Sequence, residues 1–337
     1  RGCIRRLVLI TTGMRAIITG ATGQDGVILA SLLAARGVET FGLVKPGASV
    51  DQLLAYAPRV SVVEVDLADS DSLHSVMSEI APTHVWNFGG FTAPGESWDH
   101  AAEVEQINVD AVSAIIAALV GQGSGARLFQ AASATVFEGS DRSPQTEATE
   151  FSPKSPYAKS KARAMELVRE ARSTHGLFAC SGIFYNHESP LRGENFVTRK
   201  VSMSVARIAA GMSDSLELGD IEVARDWGWA PDYVRATMLM LTADTPRDFV
   251  LATGISHRLS FFVSKAFAAA GISNWQDYVV STASNTRVDD TNLMVGDSRS
   301  AYLELGWRHT VDFDSMAAIM VGHDMALLQD PWAKWEI

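Results

Sequence analysis

Short apolar runs and amphipathic stretches alternate along the first half of the chain. The apolar runs have the length and composition of buried strands and lie at 15–19, 38–44, 60–66, 83–89 and 126–132. Helical periodicity lies between them, most clearly at 27–36, 70–80 and 101–120. This alternation predicts an α/β fold with a doubly wound parallel sheet, in which ligands bind at the carboxyl ends of the strands.

The alternation breaks after about residue 185, where Pro, Gly, Arg and Trp become common and the predicted elements shorten. We therefore expect an NADP-binding Rossmann domain at 14–185 and a smaller α/β nucleotide-sugar-binding lobe at 186–337, with strands that could interleave. The segment 1–13, "RGCIRRLVLITTG", lacks a small-residue cleavage site and directly precedes the first strand. We interpret it as an upstream extension or a cloning remnant.

Composition narrows the classes of partner. The chain has 28 Lys and Arg against 39 Asp and Glu, and its net charge of −11 argues against nucleic acid. Two cysteines, Cys3 and Cys180, cannot form a disulfide framework and favour the reducing cytoplasm. No apolar run reaches the ~18 residues that span a bilayer, so we expect no membrane segment. We also expect no metal site.

A glycine-rich turn, "ITGATGQDG", follows the first strand and opens a helix at residues 18–26. Glycines at this place permit a tight turn and let a pyrophosphate approach the helix N-terminus, so the turn predicts dinucleotide binding. The expected cofactor contacts are Gly20, Thr22, Gly23, Gln24, Asp25 and Gly26.

The ends of the second and third strands bear on the choice of cofactor. No acidic residue follows the second strand, where NAD-binding proteins place one against the ribose, and Lys45 stands there instead. This favours NADP and leaves NAD open, and Lys45 could equally be a solvated surface lysine. Asp66 and Leu67, after the third strand, are expected near the adenine, although Asp66 could instead cap the helix that begins near Ser70.

Tyr157 and Lys161, in "SPYAKSKA", lie four residues apart and therefore on one face of a predicted helix. An ammonium beside a phenol lowers the phenol's pKa, and tyrosinate can take a hydroxyl proton while a hydride leaves. Ser133 ends a predicted strand and could hold the same hydroxyl. The spacing predicts a redox triad of Ser133, Tyr157 and Lys161.

The glycine turn and this triad together resemble the extended short-chain dehydrogenases/reductases. Within that group the chain is most similar to the GDP-mannose 4,6-dehydratase family, over about residues 15–310. The stretches that carry the resemblance are "TGATGQDG", "SPYAKSK", "FYNHESPLRGENFVTRKV", "ARDWGWAPDYV" and "GDSRSAYLELGW". The resemblance implies a GDP-sugar substrate and a homo-oligomer, a dimer or a tetramer.

The resemblance also implies roles for residues along the substrate groove. Ser97 would contact the hexose, and Asn186 the phosphate region. The remaining implied contacts are Val197 and Lys200 with guanine, Arg225 and Arg287 with the diphosphate, and Asp290, in place of the family's Glu, with the nucleotide ribose.

The loop after the fifth strand, "QAASATVFEG", departs from the family pattern. Ser133 keeps the hydroxyl, but Thr135 stands where the dehydratases carry the Glu that takes the C5 proton and protonates the leaving C6 hydroxyl. A threonine hydroxyl has no pKa suited to either transfer. The loop instead resembles the Ser-Ala-Thr-Val loop of UDP-galactose 4-epimerases. Glu138 is the nearby acid that could replace the missing carboxylate.

Other hexose-facing positions are expected to be more apolar than in the family. Phe91 and Ala93 replace Gln and His, Trp229 replaces a His, and Pro231 replaces a Lys. We therefore expect C4 oxidation with an epimerase or ketoreductase outcome. The first alternative is a GDP-mannose 4,6-dehydratase in which Glu138 or water replaces the usual acid. The second is an NADP- or nucleotide-sugar-binding protein without catalysis.

Overall fold

The computed structural model describes residues 13–93, 95–123, 125–281 and 294–337. Its strands are β1 (Arg15–Thr19), β2 (Glu39–Val44), β3 (Ser61–Glu64), β4 (His84–Asn87), β5 (Arg127–Ser133), β6 (Phe178–Phe184), β7 (Asn186–Glu188), β8 (Leu216–Leu218), β9 (Ala224–Trp229), β10 (Phe249–Leu251), β11 (Ser256–Arg258) and β12 (Val279–Ser281). Seven of them form one parallel sheet in the order β10-β6-β5-β4-β1-β2-β3. The doubly wound parallel sheet expected from the sequence is confirmed.

The α-helices of the described residues are α1 (Gln24–Ala34), α2 (Asp51–Tyr56), α3 (Ser70–Ile80), α4 (Ala101–Glu105), α5 (Ala111–Gly121), α6 (Pro156–His175), α7 (Val197–Ala209), α8 (Ala230–Thr242), α9 (Leu259–Ala269), α10 (Arg299–Leu305) and α11 (Phe313–Gln329). A π-helical segment, Gln106–Asp110, joins α4 to α5. The expectation of short elements after residue 185 holds for the strands, since β7, β8, β10, β11 and β12 have three residues each, but it is wrong for the helices α7, α8 and α11, which have 13, 13 and 17 residues.

The helical stretch Ala101–Gly121 also corrects the expectation about apolar runs. Within the described part of the chain it is long and apolar enough, by length and composition, to cross a membrane. Half of its most apolar window is buried inside the protein, packed against the sheet and the neighbouring helices. Length and composition alone are weak grounds for a membrane span, because a buried core helix passes the same test.

Alternate residues of the strands face two separate cores. Ile17 and Val85 pack with α3, α5 and α6 on one face, whereas Ile18 and Trp86 pack with α1 and α8 on the other. This two-sided burial explains why the strands read as continuous apolar runs. A third core, which contains Trp227, lies between the small β11-β9-β7 sheet and the helices α7, α9 and α11.

The two halves of the chain share the main sheet. β10 comes from the second half and pairs with β6, and β7 begins two residues after β6 ends. The lobe sheet is therefore attached directly to the carboxyl edge of the main sheet. The division at residue 185 stays a prediction.

A buried chain of hydrogen bonds connects β1, β4 and β5 at the last residues of β1 and β4 and the middle of β5. Thr19, Asn87 and Gln130 occupy paired positions in the three strands and are almost fully buried. The Thr19 hydroxyl donates to Asn87 Oδ1, and Asn87 Nδ2 donates to Gln130 Oε1 at 2.7 Å. Thr19 Oγ1 also accepts the N–H of Gly89 at 2.9 Å, and Gln130 Nε2 donates to the carbonyl of Ala131 at 2.9 Å. These hydrogen bonds hold β1, β4 and β5 in register.

We predict that Asn87→Leu lowers the free energy of unfolding by about 2–4 kcal/mol, because it leaves Thr19 and Gln130 with unpaired buried groups. Urea denaturation measures the change. Asn274→Leu is the control, since Asn274 is exposed and hydrogen-bonds only Asp277 in the described structure, and a change within about 0.5 kcal/mol is expected. Equal effects in the two variants would contradict the role of the buried chain.

Candidate active site

The glycine turn brings three backbone segments into contact after β1. Gly20 has a left-handed φ of +65°, and a Cβ there would lie 2.8 Å from the backbone of Gly89. A Cβ on Gly26 would lie 2.3 Å from the carbonyl oxygen of Gly20. Gly23, at the start of α1, would meet only the Gly20 carbonyl, at 3.3 Å, so its other side is open to a ligand. This arrangement fits a cofactor pyrophosphate at the start of α1.

Gln24 and Asp25 connect the glycine turn to the lobe. Gln24 Nε2 donates to the carbonyl of His187 at 3.0 Å, and the Ser189 hydroxyl donates to Gln24 Oε1 at 2.8 Å. Asp25 pairs with His187 Nε2 at 3.0 Å. Burial opposes ionisation of Asp25, but His187 and Arg192 hold the pKa of its carboxyl below the usual range. Both side chains are thus engaged within the protein, and their contact with a cofactor stays a prediction.

Ser133, Tyr157 and Lys161 are brought together as the sequence predicts. Ser133 is the last residue of β5, and Tyr157 and Lys161 lie in the first two turns of α6. The Ser133 hydroxyl lies close enough to Tyr157 to lower the pKa of the phenol through hydrogen bonding, and the hydroxyl of Thr135 donates to Ser133 Oγ at 3.0 Å. Lys161 Nζ donates to the carbonyl of Ala131 at 3.3 Å, at the end of the buried chain of hydrogen bonds.

The protonation of this triad differs from the sequence prediction. Burial raises the pKa of Tyr157, opposed by its hydrogen bond with Ser133 and by the charge of Arg192, and reinforced by Glu138. Burial therefore dominates the pKa of Tyr157 in this structure, and the lowering of that pKa by Lys161 stays a prediction. Lys161 Nζ lies 5.8 Å from the ring centroid and is held at the Ala131 carbonyl. Burial also lowers the pKa of Lys161 itself to about 8.

Asn108, which sequence reasoning missed, ties the loop after β4 to α6. It lies in the π-helical segment, where Asn108 Oδ1 accepts the N–H of Phe91 at 2.8 Å and Nδ2 donates to Ser160 Oγ at 2.9 Å. The Ser160 hydroxyl in turn donates to the carbonyl of Tyr157 at 2.8 Å. A Cβ on Gly90 would lie 3.2 Å from Lys161 Nζ, so this loop lies against the triad. The sequence signal that could have identified Asn108 is its position as a polar residue within the predicted helical stretch 101–120.

Arg192 was also missed, although it lies in a stretch that carries the family resemblance. Its Nε lies 3.2 Å from the buried carboxylate of Glu188, and its guanidinium carbon lies 3.6 Å over the ring of Phe196. Its charge acts on both Asp25 and Tyr157. Arg192 therefore lies between the glycine turn and the triad.

Glu138 is engaged at the start of α6. Its carboxylate accepts the backbone N–H groups of Lys154 and Ser155, each at 3.1 Å, and the hydroxyl of Ser155 at 3.1 Å. Thr135 lies in the short 3-10 helix Ala134–Phe137. The loop thus offers a hydroxyl at position 135 and a carboxylate that is already hydrogen-bonded at position 138.

The other expected cofactor residues follow β2 and β3, on the same edge of the sheet. Lys45 is exposed, and Asp66 accepts the N–H of Ala68 at 3.0 Å. Asp69, and not Asp66, caps α3 by accepting the N–H of Ser72. Leu67 lies close to Gly89, because a Cβ on that glycine would meet its side chain. Contact with a cofactor stays a prediction for Lys45, Asp66 and Leu67.

Of the expected substrate residues that the structure describes, all but Ser97 lie in the second half of the chain. Asn186 is exposed on β7, and Lys200 is exposed on the first turn of α7, which Val197 begins. β7 pairs with β9 so that Asn186 lies opposite Trp227, two residues from half-buried Arg225. Ser97 is fully buried in a short 3-10 helix. Arg287 and Asp290 lie outside the described residues.

Trp229 lies in the core of the lobe. Trp229 was expected to face the hexose, but it is buried and packs edge-on against Trp335, with ring centroids 5.0 Å apart. That expectation is corrected, because the ring fills the core between the lobe and residues near 335.

Among the side chains that the structure describes, no group of three or more His, Cys, Asp or Glu could hold a metal ion.

Comparison with known proteins identifies relatives along almost the whole chain. The family model described as GDP-mannose 4,6 dehydratase matches residues 17–320. GDP-mannose 4,6 dehydratase 2 of Arabidopsis thaliana is 36% identical over 326 residues, covering 93% of this chain and 87% of the relative. The human GDP-mannose 4,6 dehydratase is 34% identical over 347 residues, covering 93% and 92%.

Solved structures share the fold at lower identity. RMD from Pseudomonas aeruginosa, complexed with NADPH, has a TM-score of 0.77 and 22% identity, covering 93% of this chain and all of that one. DesIV, a dTDP-glucose 4,6-dehydratase from Streptomyces venezuelae with NAD and TYD bound, has a TM-score of 0.82 and 21% identity, covering 95% and 100%. These likenesses agree with the seven-stranded sheet and helices described above.

We predict that Lys161→Met stabilises the fold at about pH 7, raising the free energy of unfolding by about 1–3 kcal/mol, because burial disfavours the charged amine. The pKa of about 8 lies below that of the unfolded lysine. Wild-type stability should therefore rise relative to the variant as pH increases through the range between the two pKa values. Urea denaturation at about pH 7 and about pH 9.5 measures the difference in free energy of unfolding between the wild type and the variant.

The control is Lys159→Met, which removes an exposed lysine from the same helix. Its effect on stability should be small and should not change between the two pH values. If the difference in free energy of unfolding between the wild type and Lys161→Met were the same at both pH values, the lowered pKa of Lys161 would be contradicted.

Proposed function

Because the chain belongs to the GDP-mannose 4,6-dehydratase family, we propose that it binds a GDP-hexose and a nicotinamide cofactor, oxidises the sugar at C4, eliminates water across C5 and C6, and returns the hydride to C6. The product has then lost one water, and the cofactor is regenerated. The observation that carries the oxidation step is the placement of Ser133, at the end of β5, beside buried Tyr157 and Lys161 in the first two turns of α6. The support for the elimination step is the name shared by the family model and the relatives.

The oxidation separates a proton and a hydride, and the chain's own residues handle the proton. The nicotinamide cofactor, when bound, accepts the hydride from C4. Ser133 hydrogen-bonds the O4 hydroxyl and Tyr157, as tyrosinate, takes the O4 proton, so that the C4–O bond becomes a ketone. The Ser133 hydrogen bond and the charge of Arg192 both favour tyrosinate against the effect of burial. Lys161, with a pKa of about 8, remains largely protonated at neutral pH.

We propose NADP as the cofactor. The support is local: exposed Lys45 follows β2, and the end of that strand carries no acidic residue to repel a 2′-phosphate. The related folds leave both forms open, because RMD was solved with NADPH and DesIV with NAD.

For the substrate we propose a GDP-sugar that extends from the triad to the first turn of α7. Asn186, Val197, Lys200 and Arg225 are the residues within the described ranges that we assign to it. The homo-oligomer expected from the sequence stays a prediction.

The elimination step needs a base for the C5 proton and an acid for the C6 hydroxyl. Thr135 supplies neither, and the carboxylate of Glu138 already accepts hydrogen bonds from Lys154 and Ser155. This is the specific observation that keeps a second candidate function, reversible C4 epimerisation or ketone reduction. The sequence-based preference for that outcome is not supported by the relatives, whose names are those of dehydratases.

We predict that the purified enzyme, given NADP⁺ and GDP-mannose, forms a product lighter by one water molecule, as measured by mass spectrometry. Tyr157→Phe should lower the rate by about 10²–10⁴-fold, since it removes the proton acceptor. A product of unchanged mass with inverted C4 would support the second candidate and overturn dehydration. Absence of any reaction or cofactor reduction with GDP-hexoses would overturn both.

We also predict the effect of restoring the family's carboxylate with Thr135→Glu. A base at this position should raise the rate of water loss by about 10²-fold or more, because general acid–base catalysis contributes that much. Thr135→Gln is the control, with the same size and no charge. If Thr135→Glu does not exceed Thr135→Gln, position 135 does not govern elimination in this chain.

A further inference from the structure

We infer that Glu138 is a positioning residue, whose carboxylate fixes the start of α6 to the Ser133 loop and thereby sets Tyr157 against Ser133. The inference rests on the proposed function, because it concerns the same oxidation step. It assigns to Glu138 a role other than that of the missing elimination acid.

The Glu138 carboxylate accepts hydrogen bonds from three donor groups in the residues directly before α6. Glu138 Oε2 accepts the N–H groups of Lys154 and Ser155, each at 3.1 Å. The hydroxyl of Ser155 lies 3.1 Å from Oε1 and 3.2 Å from Oε2. Hydrogen bonds from a charged acceptor to backbone donors are among the stronger ones in proteins. Tyr157 follows two residues later.

The Ser155 hydroxyl passes this anchoring on to the helix. Ser155 is the N-cap of α6, and its oxygen accepts the N–H of Ala158 at 3.2 Å. A hydroxyl carries one proton, so the proton given to Glu138 leaves the oxygen lone pairs for the cap. Tyr157 lies between the capping residue and the capped amide. Its backbone is therefore fixed by the orientation of the Ser155 hydroxyl, which Glu138 sets.

Backbone hydrogen bonds also join Glu138 to the Ser133 loop. Glu138 N–H donates to the carbonyl of Thr135 at 3.0 Å, in the turn that begins at Ser133. The backbone of Gly139 donates to Ser152, and that of Ser152 donates to Val136, each at 2.8 Å. The Ser133 loop and the residues before α6 therefore form one hydrogen-bonded unit, in which a shift of α6 changes the contact between Ser133 and Tyr157.

Charge gives a second, separable effect. The charges that act on the pKa of Tyr157 are those of Glu138 on the loop and Arg192 before α7, and Lys161 on α6 itself lies 5.8 Å from the centre of the Tyr157 ring. Glu138 raises the pKa of Tyr157, and Arg192 lowers it. Removing the charge of Glu138 should therefore shift the rate profile to lower pH, because tyrosinate forms more readily.

The test compares Glu138→Gln and Glu138→Asp with Glu147→Gln. The Gln variant removes the charge and keeps the length, whereas the Asp variant keeps the charge and shortens the reach. Glu147 is a matched control that makes none of the described hydrogen bonds to the triad or to the start of α6. It is half-buried and also accepts from one backbone N–H, that of Val250, and from one serine hydroxyl, that of Ser300.

Three quantities are measured: kcat and KM for the conversion of GDP-mannose, the pH–rate profile, and hydrogen exchange at the amides of Ser155 and Ala158. Both Glu138 variants should lower kcat about tenfold or more with little change in KM, since displaced catalytic groups cost up to about 10²-fold. The profile should move to lower pH in Glu138→Gln alone. Exchange should accelerate in both, and Glu147→Gln should match the wild type in all three.

Two results would overturn the inference. Unchanged kcat and exchange in Glu138→Gln would remove the positioning role. Retained cofactor reduction with lost dehydration would instead make Glu138 the elimination acid. If the wild type oxidises no GDP-hexose, the proposed function fails by itself. The exchange measurement then still decides whether Glu138 holds the start of α6.

Discussion

The buried hydrogen bonds from Thr19 through Asn87 to Gln130 are the interaction on which the site depends. They cross three parallel strands at the last residues of β1 and β4 and the middle of β5, and they finish at the Ala131 carbonyl that also accepts from Lys161. Polar groups buried this deeply must be paired, so the register of β1, β4 and β5 cannot slip without a large cost. The same register places the glycine turn, the Gly89–Gly90 loop and Ser133 side by side.

A second set of contacts joins the cofactor-binding half to the lobe. Asp25 of the glycine turn pairs with His187 of β7, and Arg192 pairs with Glu188 on the same strand. Glu188 is almost fully buried and also accepts the hydroxyl of Thr198 on the first turn of α7. Buried charges are tolerated only when paired, so these contacts restrict how the lobe can sit over the sheet. The proposed cofactor and sugar-nucleotide ends of the groove are thereby linked.

The loop from Ser133 to Glu138 gives this member of the family its particular character. It keeps the serine that contacts Tyr157, places a hydroxyl at position 135, and carries its carboxylate at position 138, where it binds the start of α6. Oxidation at C4 and elimination across C5 and C6 make different demands on the protein, because the first needs one proton acceptor and the second needs an acid and a base. The loop meets the first demand directly.

Residue order by itself determined the strand–helix alternation, the glycine turn, and the spacing of Tyr157 and Lys161, because these depend on local periodicity and backbone sterics. The burial of Tyr157, the engagement of Glu138 with Ser155, and the packing of Trp229 against Trp335 were decided by tertiary structure. Each depends on which groups from distant segments surround a side chain, and desolvation then outweighs the local effect of a neighbouring charge. A pattern along the chain contains no information about that surrounding.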